Sequence, residues 1–377
     1  MVCDLTSLQS RRRTGRRYAI LLFIVMALIA GWTWAWKYSA SKAQAAVEGW
    51  RAQEAKAGRV FSCSSQRIGG YPFRFEMNCD NASALLRSNK PPVEVKAGSV
   101  LVVAQIYQPN LLISDFNGPL TIADIGQAPK IIANWKLGQS SVRGTPKAPE
   151  RVSLLFDEPV VNLVSGDKEI NLLRAKRIEV HGRIAGGSAA NNAVEIVLRL
   201  DHTSAPAFNP ATVQPVDAEI TCIVRGLGGF SPKPWGERFR ELQTKGGRID
   251  ITQARVRQGD TLAIGSGSLS IDPSGQLDGQ INITVAGLEP FLTAIGAAQV
   301  VQKSPNMDKV AGMLDRLAPG LGNVARQQAG ANLSLGINML GQPASLEGRH
   351  AVSLPLRFKQ GTAYLGPIPL GSTPALF

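Results

Sequence analysis

A chain of 377 residues with a hydrophobic share of 44% and a charged share of 18% has the composition of a folded protein, not a disordered one. Its formal charge of +13 does not mark a nucleic-acid binder. Five of the positive charges sit in the N-terminal arm, and the rest, such as Arg51, Lys56, Arg238 and Arg257, are dispersed without interleaved stacking aromatics.

In chain order, residues 1–17 form a basic arm carrying Arg11, Arg12, Arg13, Arg16 and Arg17. Residues 18–36, YAILLFIVMALIAGWTWAW, contain no charge and match the roughly 20-residue length of a transmembrane helix. A cleavable signal has a shorter apolar region, and Ala43-Gln44-Ala45, which mimics a cleavage site, lies well beyond this one. Trp32, Trp34 and Trp36, backed by Lys37 and Tyr38, read as an interfacial aromatic belt on an uncleaved anchor. The arginines favour a cytoplasmic N-terminus, so the bulk of the chain is expected across a bacterial inner membrane, in the periplasm. Residues 37–58 read as a helix, either a stalk or a helix packed on the domain that follows.

From residue 59 to 377 a β-rich domain is expected, with a possible sub-boundary at 209–216 where NPATVQPV interrupts the pattern. Phe73, Phe75, Met77 and Cys79 alternate with Arg74, Glu76 and Asn78, the mark of a half-buried strand. Further strands are expected at 60–63, 99–107, 111–116, 152–156, 177–182, 194–200 and 219–225. Residues 247–287 read as a three-stranded meander with turns at Gln258-Gly259-Asp260 and Asp272-Pro273-Ser274-Gly275. Helical spacing covers 288–300 and 306–317, and strands return at 331–339 and 351–358 before a Pro-rich tail. The fold class is mainly β (α+β): an anchor followed by an elongated antiparallel sheet, sandwich or groove with a few capping helices.

No catalytic, cofactor-binding or metal-binding constellation emerges. His181, His202 and His350 are far apart in sequence, and no HExxH, GxSxG, Walker or dinucleotide motif occurs. Ser39–Lys42 and Ser165–Lys168 each fit S-x-x-K without the elements that complete that machinery. Asp157 and Glu158 are adjacent on an extended chain and point to opposite sides. Gly226-Leu227-Gly228-Gly229 reads as a loop. Cys3 falls in the cytoplasmic arm, where its position alone suggests acylation, and Cys222 reads as a buried thiol. Cys63 and Cys79 bracket Gly69-Gly70 and Pro72, a spacing open to a metal clip, a reactive pair or a strap. In an oxidising compartment they are expected to pair as a disulfide across a hairpin.

The GGYPFRFEMNC element at 69–79, the turn at Asn117-Gly118-Pro119-Leu120, DPSGQLDGQINITVAGL at 272–288 and LRFKQGTAYLGPIPLG at 356–371 together resemble domain of unknown function 2125, an uncharacterised bacterial envelope family. A looser likeness is to AsmA-type envelope proteins, which implies an anchored β domain with a lipid-accommodating groove. Such a groove needs an unsealed apolar face, for which Val100–Val102 and Ile281–Ile283–Val285 qualify; in a closed core the same residues are simply interior. Three functions follow in order: a non-enzymatic, anchored periplasmic protein of envelope maintenance that binds or conveys phospholipid; a scaffold for another envelope protein, engaged through a strand edge or the Pro-rich tail; and an envelope hydrolase, for which no nucleophile–base pair can be named.

Overall fold

The computed structural model describes residues 8–377 except 88, 90, 145–148, 167, 187–192, 228–229, 231–232, 289–340 and 367. The expected helices at 288–300 and 306–317, the strand at 331–339, Cys3 and Gly228-Gly229 fall wholly or mainly outside the described residues. The chain opens on one helix, α1 (Leu8–Lys56), which joins the apolar segment and the 37–58 stretch without a break. No proline interrupts this run, and Gly58 ends it with a φ of 79°.

The β elements follow in order. The first seven are β1 (Arg59–Ser62), β2 (Ser65–Gly69), β3 (Arg74–Leu86), β4 (Val93–Gln105), β5 (Gln108–Asn117), β6 (Leu120–Asp124) and β7 (Ile131–Asn134). Next come β8 (Leu137–Arg143), β9 (Arg151–Asp157), β10 (Val160–Ser165), β11 (Lys168–Arg174), β12 (Arg177–Ile184) and β13 (Ala193–Thr203). A 3-10 turn at Pro210–Val213 leads to β14 (Val216–Arg225), then α2 (Trp235–Thr244), β15 (Arg248–Gln258), β16 (Thr261–Ile271) and β17 (Leu277–Ala286). The chain closes with β18 (Gln342–Leu346), β19 (Arg349–Lys359), β20 (Thr362–Leu365) and β21 (Ile368–Ser372).

All strand pairings among the described residues are antiparallel and form one sheet. Its main row runs β3–β4–β5–β8–β9–β12–β13–β14–β15–β16–β17–β19. A side leaf, β6–β7–β10–β11, leaves the N-terminal half of β4 and returns to the main row through an Arg174–Ser204 bridge. The predicted meander is β15–β16–β17, with its turns where expected. The Asn209–Val216 stretch is the connection between β13 and β14, which pair along their length. Among the described residues this is one open sheet with no second sheet packed on it.

The sheet edge formed by β1 and β2 lies along α1. Trp50 stacks on Phe61 at 4.9 Å, and Glu54 pairs with Arg59 at 2.5 Å. Residues 37–56 thus continue the apolar segment as one helix and also pack against this edge through Trp50 and Glu54, shielding backbone groups that would otherwise be unpaired. Phe73 departs from the predicted strand: β3 starts at Arg74, and Phe73 is 65% exposed in the preceding turn. The Pro-rich tail folds back, with Leu376 and Phe377 packed against a small core of Val224, Leu242 and Ile271 beneath α2.

Candidate functional site: the open apolar face and the anchor junction

In an antiparallel ladder directly opposed residues share a face. Following one row across the main sheet gives Cys79, Val100, Phe116, Gly138, Phe156, Ile178, Leu200, Ala218, Val256, Ala263, Val285 and Val352. No charged or hydrogen-bonding side chain interrupts it. Eleven inter-strand steps of about 4.8 Å make this row on the order of 50 Å long. The neighbouring row on the other face reads Asn78, Leu101, Asp115, Gln139, Leu155, Glu179, Arg199, Glu219, Arg255, Ile264, Thr284 and Ser353. There Arg177–Asp157 at 2.6 Å, Arg199–Glu219 at 3.1 Å and Arg255–Glu347 at 2.5 Å link charges across strands. The sheet is thus amphipathic as a whole.

A bulge in β15 maintains the apolar face. Ile249 and Ile251 stand at odd positions, whereas Ala254 and Val256 stand at even ones. The register shifts between Ile251 and Ala254, with an extra residue on β15, so both pairs face the same way.

Much of this face is half-buried, but its β16–β19 end, at Ala263, Val285, Val352 and Leu354, is buried. At one rim α2 and the C-terminal Leu376 and Phe377 cover Val224 and Ile271. At the opposite rim the Pro210–Val213 turn walls a groove of about 390 Å³ whose floor includes Ile220, Ala254, Val256, Gly265, Ile281 and Ile283. Val100, Val102, Ile281, Ile283 and Val285, the positions singled out from sequence, all lie on this face. Farther along, the Trp135 indole lies over Gly138: a Cβ there would come within 2.5 Å of Nε1. That indole donates to the Phe116 carbonyl oxygen at 2.7 Å and meets the Phe156 ring edge-on at 5.0 Å.

At the β3 end the sheet meets the apolar helix. The Trp32 and Trp36 indoles donate to the carbonyl oxygens of Pro72 and Arg74 at 3.0 and 3.2 Å. Trp36 stacks on Phe75 at 5.7 Å and meets Tyr71 edge-on at 5.5 Å. Because the Thr33 hydroxyl donates to Ile29, the Tyr71 hydroxyl donates to Thr33, at 2.8 Å. The expected aromatic belt is therefore split: Trp34, stacked on Tyr38, remains exposed, while Trp32 and Trp36 serve as a socket for the domain. The i, i+4 spacing of Trp32 and Trp36 and the aromatic run in GYPFRF carried this signal. Farther along α1, Cys63 and Cys79 are joined by a disulfide, and the Arg51 guanidinium donates to Cys63 Sγ at 3.0 Å.

The polar candidates assemble differently. Asp201, His202 and Asp217 converge at distances a metal ion would accept. Their contacts explain a backbone feature instead: Asp217 accepts from the His202 backbone N–H at 2.7 Å, where φ is 46° at a β13 bulge. The hydrogen bond that His202 Nδ1 donates to the Asp201 carboxylate raises the His202 pKa and lowers the Asp201 pKa. His181 sits 3.2 Å from Glu179 on the charged face, and His350 lies on β19. Asp157 and Glu158 take separate cations, Arg177 and Lys136. Ser39 and Lys42 lie on α1, and Ser165 opposes Lys168 at the β10–β11 turn. Burial raises the pKa of the Cys222 thiol, which is not disulfide-bonded.

Among the described residues one helix is long and apolar enough to cross a membrane, and it leads into a single open antiparallel sheet with one apolar face. That combination defines a β-rich protein with a candidate membrane helix. The chain belongs to the family described as uncharacterised protein conserved in bacteria (DUF2125), whose model matches residues 36–374. No curated protein matches it.

Proposed function

We propose that this is a non-enzymatic, single-pass inner-membrane protein whose periplasmic sheet binds the acyl chains of phospholipid along its apolar face, in support of envelope maintenance. The carrying observation is the uninterrupted twelve-residue apolar row from Cys79 to Val352, half-buried at Val100, Phe116 and from Phe156 to Val256 and buried at its β16–β19 end. Burying apolar chains on such a face releases about 25 cal/mol per Å² from water. A phospholipid offers that surface, and its headgroup would remain at the rim. The scaffold reading keeps both of its sites, since only Leu376 and Phe377 of the Pro-rich tail pack beneath α2 and Pro369, Pro374 and Ala375 are exposed.

The full chain, purified in detergent, is titrated with a phospholipid bearing a fluorescent acyl chain. Ile220→Asp and Ile283→Asp place carboxylates on the groove floor, and each is expected to weaken binding about tenfold or more, since a buried unpaired charge is costly. Equal binding by both variants and the parent would sink the proposal.

A further inference from the structure

We propose that the Tyr71–Phe73 turn, with Tyr107 beside it, is a second membrane contact seated at the headgroup–acyl boundary where α1 leaves the bilayer. This rests on the reading of residues 18–36 as a membrane span. The argument is one of depth. Trp32, Thr33 and Trp36 all belong to the uncharged segment, and Trp32 lies about 6 Å deeper than Trp36 at 1.5 Å per residue. A turn hydrogen-bonded to Trp32 and Thr33 occupies their depth, and the Pro72 carbonyl and Tyr71 hydroxyl make those bonds.

The side chains at this depth suit the interface. Phe73 is 65% exposed, its ring centroid 6.4 Å from that of Trp32, and Tyr107 is 75% exposed. The adjoining Ile106 N–H donates to the Phe73 carbonyl at 3.1 Å, so the two turns form one tip. Exposed aromatic rings are costly in water and favourable at the membrane interface. Occupancy by lipid is argued from continuity with the span itself. The consequence is that β3, whose Phe75 stacks on Trp36, brings the first strand of the apolar face to the bilayer surface.

The test uses the full chain with Cys3→Ser and Cys222→Ser, reconstituted in phosphatidylethanolamine–phosphatidylglycerol vesicles. Cysteine replaces Phe73, Tyr107 or, as a reference, the 47% exposed Ile125 at the far end of β4 from Tyr107, and each carries a nitroxide. Resistance of Cys63 and Cys79 to alkylation without reductant reports that each variant is folded. Power saturation is expected to shift toward oxygen accessibility over a water-soluble nickel chelate at 73 and 107 but not at 125. Equal, aqueous values at all three sites would overturn the inference. In the unsubstituted chain, a phospholipid with an acyl-chain diazirine is expected to label the peptide bearing Tyr71–Phe73; label on α1 with none on that peptide would overturn it too. Alkaline extraction of the vesicles separately reports the anchor. The depth readout does not require an occupied groove: Ile283→Asp is expected to leave it unchanged, so failure of the turn and failure of lipid binding are read apart.

Discussion

Cys63 and Cys79, sixteen residues apart, fasten the start of the domain beside the helix. Closing a loop of that length contributes about 3 kcal/mol in the chain-entropy view. Replacing both by serine is expected to lower the unfolding free energy by roughly that amount, measured by urea denaturation. Trp36 acts at another point of the same helix, where it meets Tyr71 and Phe75, and ring pairs of this kind contribute about 0.5–1.5 kcal/mol each. Trp36→Ala is expected to speed hydrogen exchange at Phe75 and Met77 by about tenfold while leaving β16 and β17 unchanged. The disulfide was legible because spacing, together with the expected export, restricts what two cysteines can do. The socket was not, because an aromatic cluster ending an apolar helix has an equally good explanation in lipid, and only the partner turn distinguishes the two.

At the scale of elements, α2 is held by charge on one side and packing on the other. Glu241 accepts from Lys233 and Lys245, each at 2.9 Å, and these hydrogen bonds lower its pKa to about 2. A depressed carboxylate stabilises the folded state above its unfolded value near 4.5 and loses that contribution as pH falls toward 2. The urea midpoint is therefore expected to drop between pH 5 and about 2 in the parent protein, and to drop less in Glu241→Gln. Gly247 abuts this helix so closely that a Cβ would sit 2.4 Å from Leu242 Cδ1 and 2.5 Å from the Arg225 oxygen. Gly247→Ala is expected to cost roughly 1–3 kcal/mol by displacing Leu242, with loss of helical protection at α2 in hydrogen exchange. Strand positions were largely readable, since period-two alternation is written locally, as in Phe75–Met77–Cys79. The switch of parity within β15 was not, because it needs the bulge that only the neighbouring strands reveal.

For the whole molecule, the organising feature is that one face of a long open sheet is apolar from the anchor junction to β19, while its other face carries cross-strand charge pairs. Period two assigns residues to faces but not strands to neighbours. The departure of β6, β7, β10 and β11 as a side leaf depends on long-range pairing that no local pattern encodes. The choice between a closed core and an open groove was likewise undetermined by alternation, since Ile281 and Ile283 suit either. The most direct measurement is photolabelling of the full chain in vesicles with a phospholipid carrying a diazirine deep in its acyl chain, followed by peptide mapping. The account predicts adducts on β14–β17, at Ile220, Val256 and Ile283 among them, lost in Ile283→Asp. Label confined to α1 and the turn beside it would contradict acyl-chain binding along the sheet.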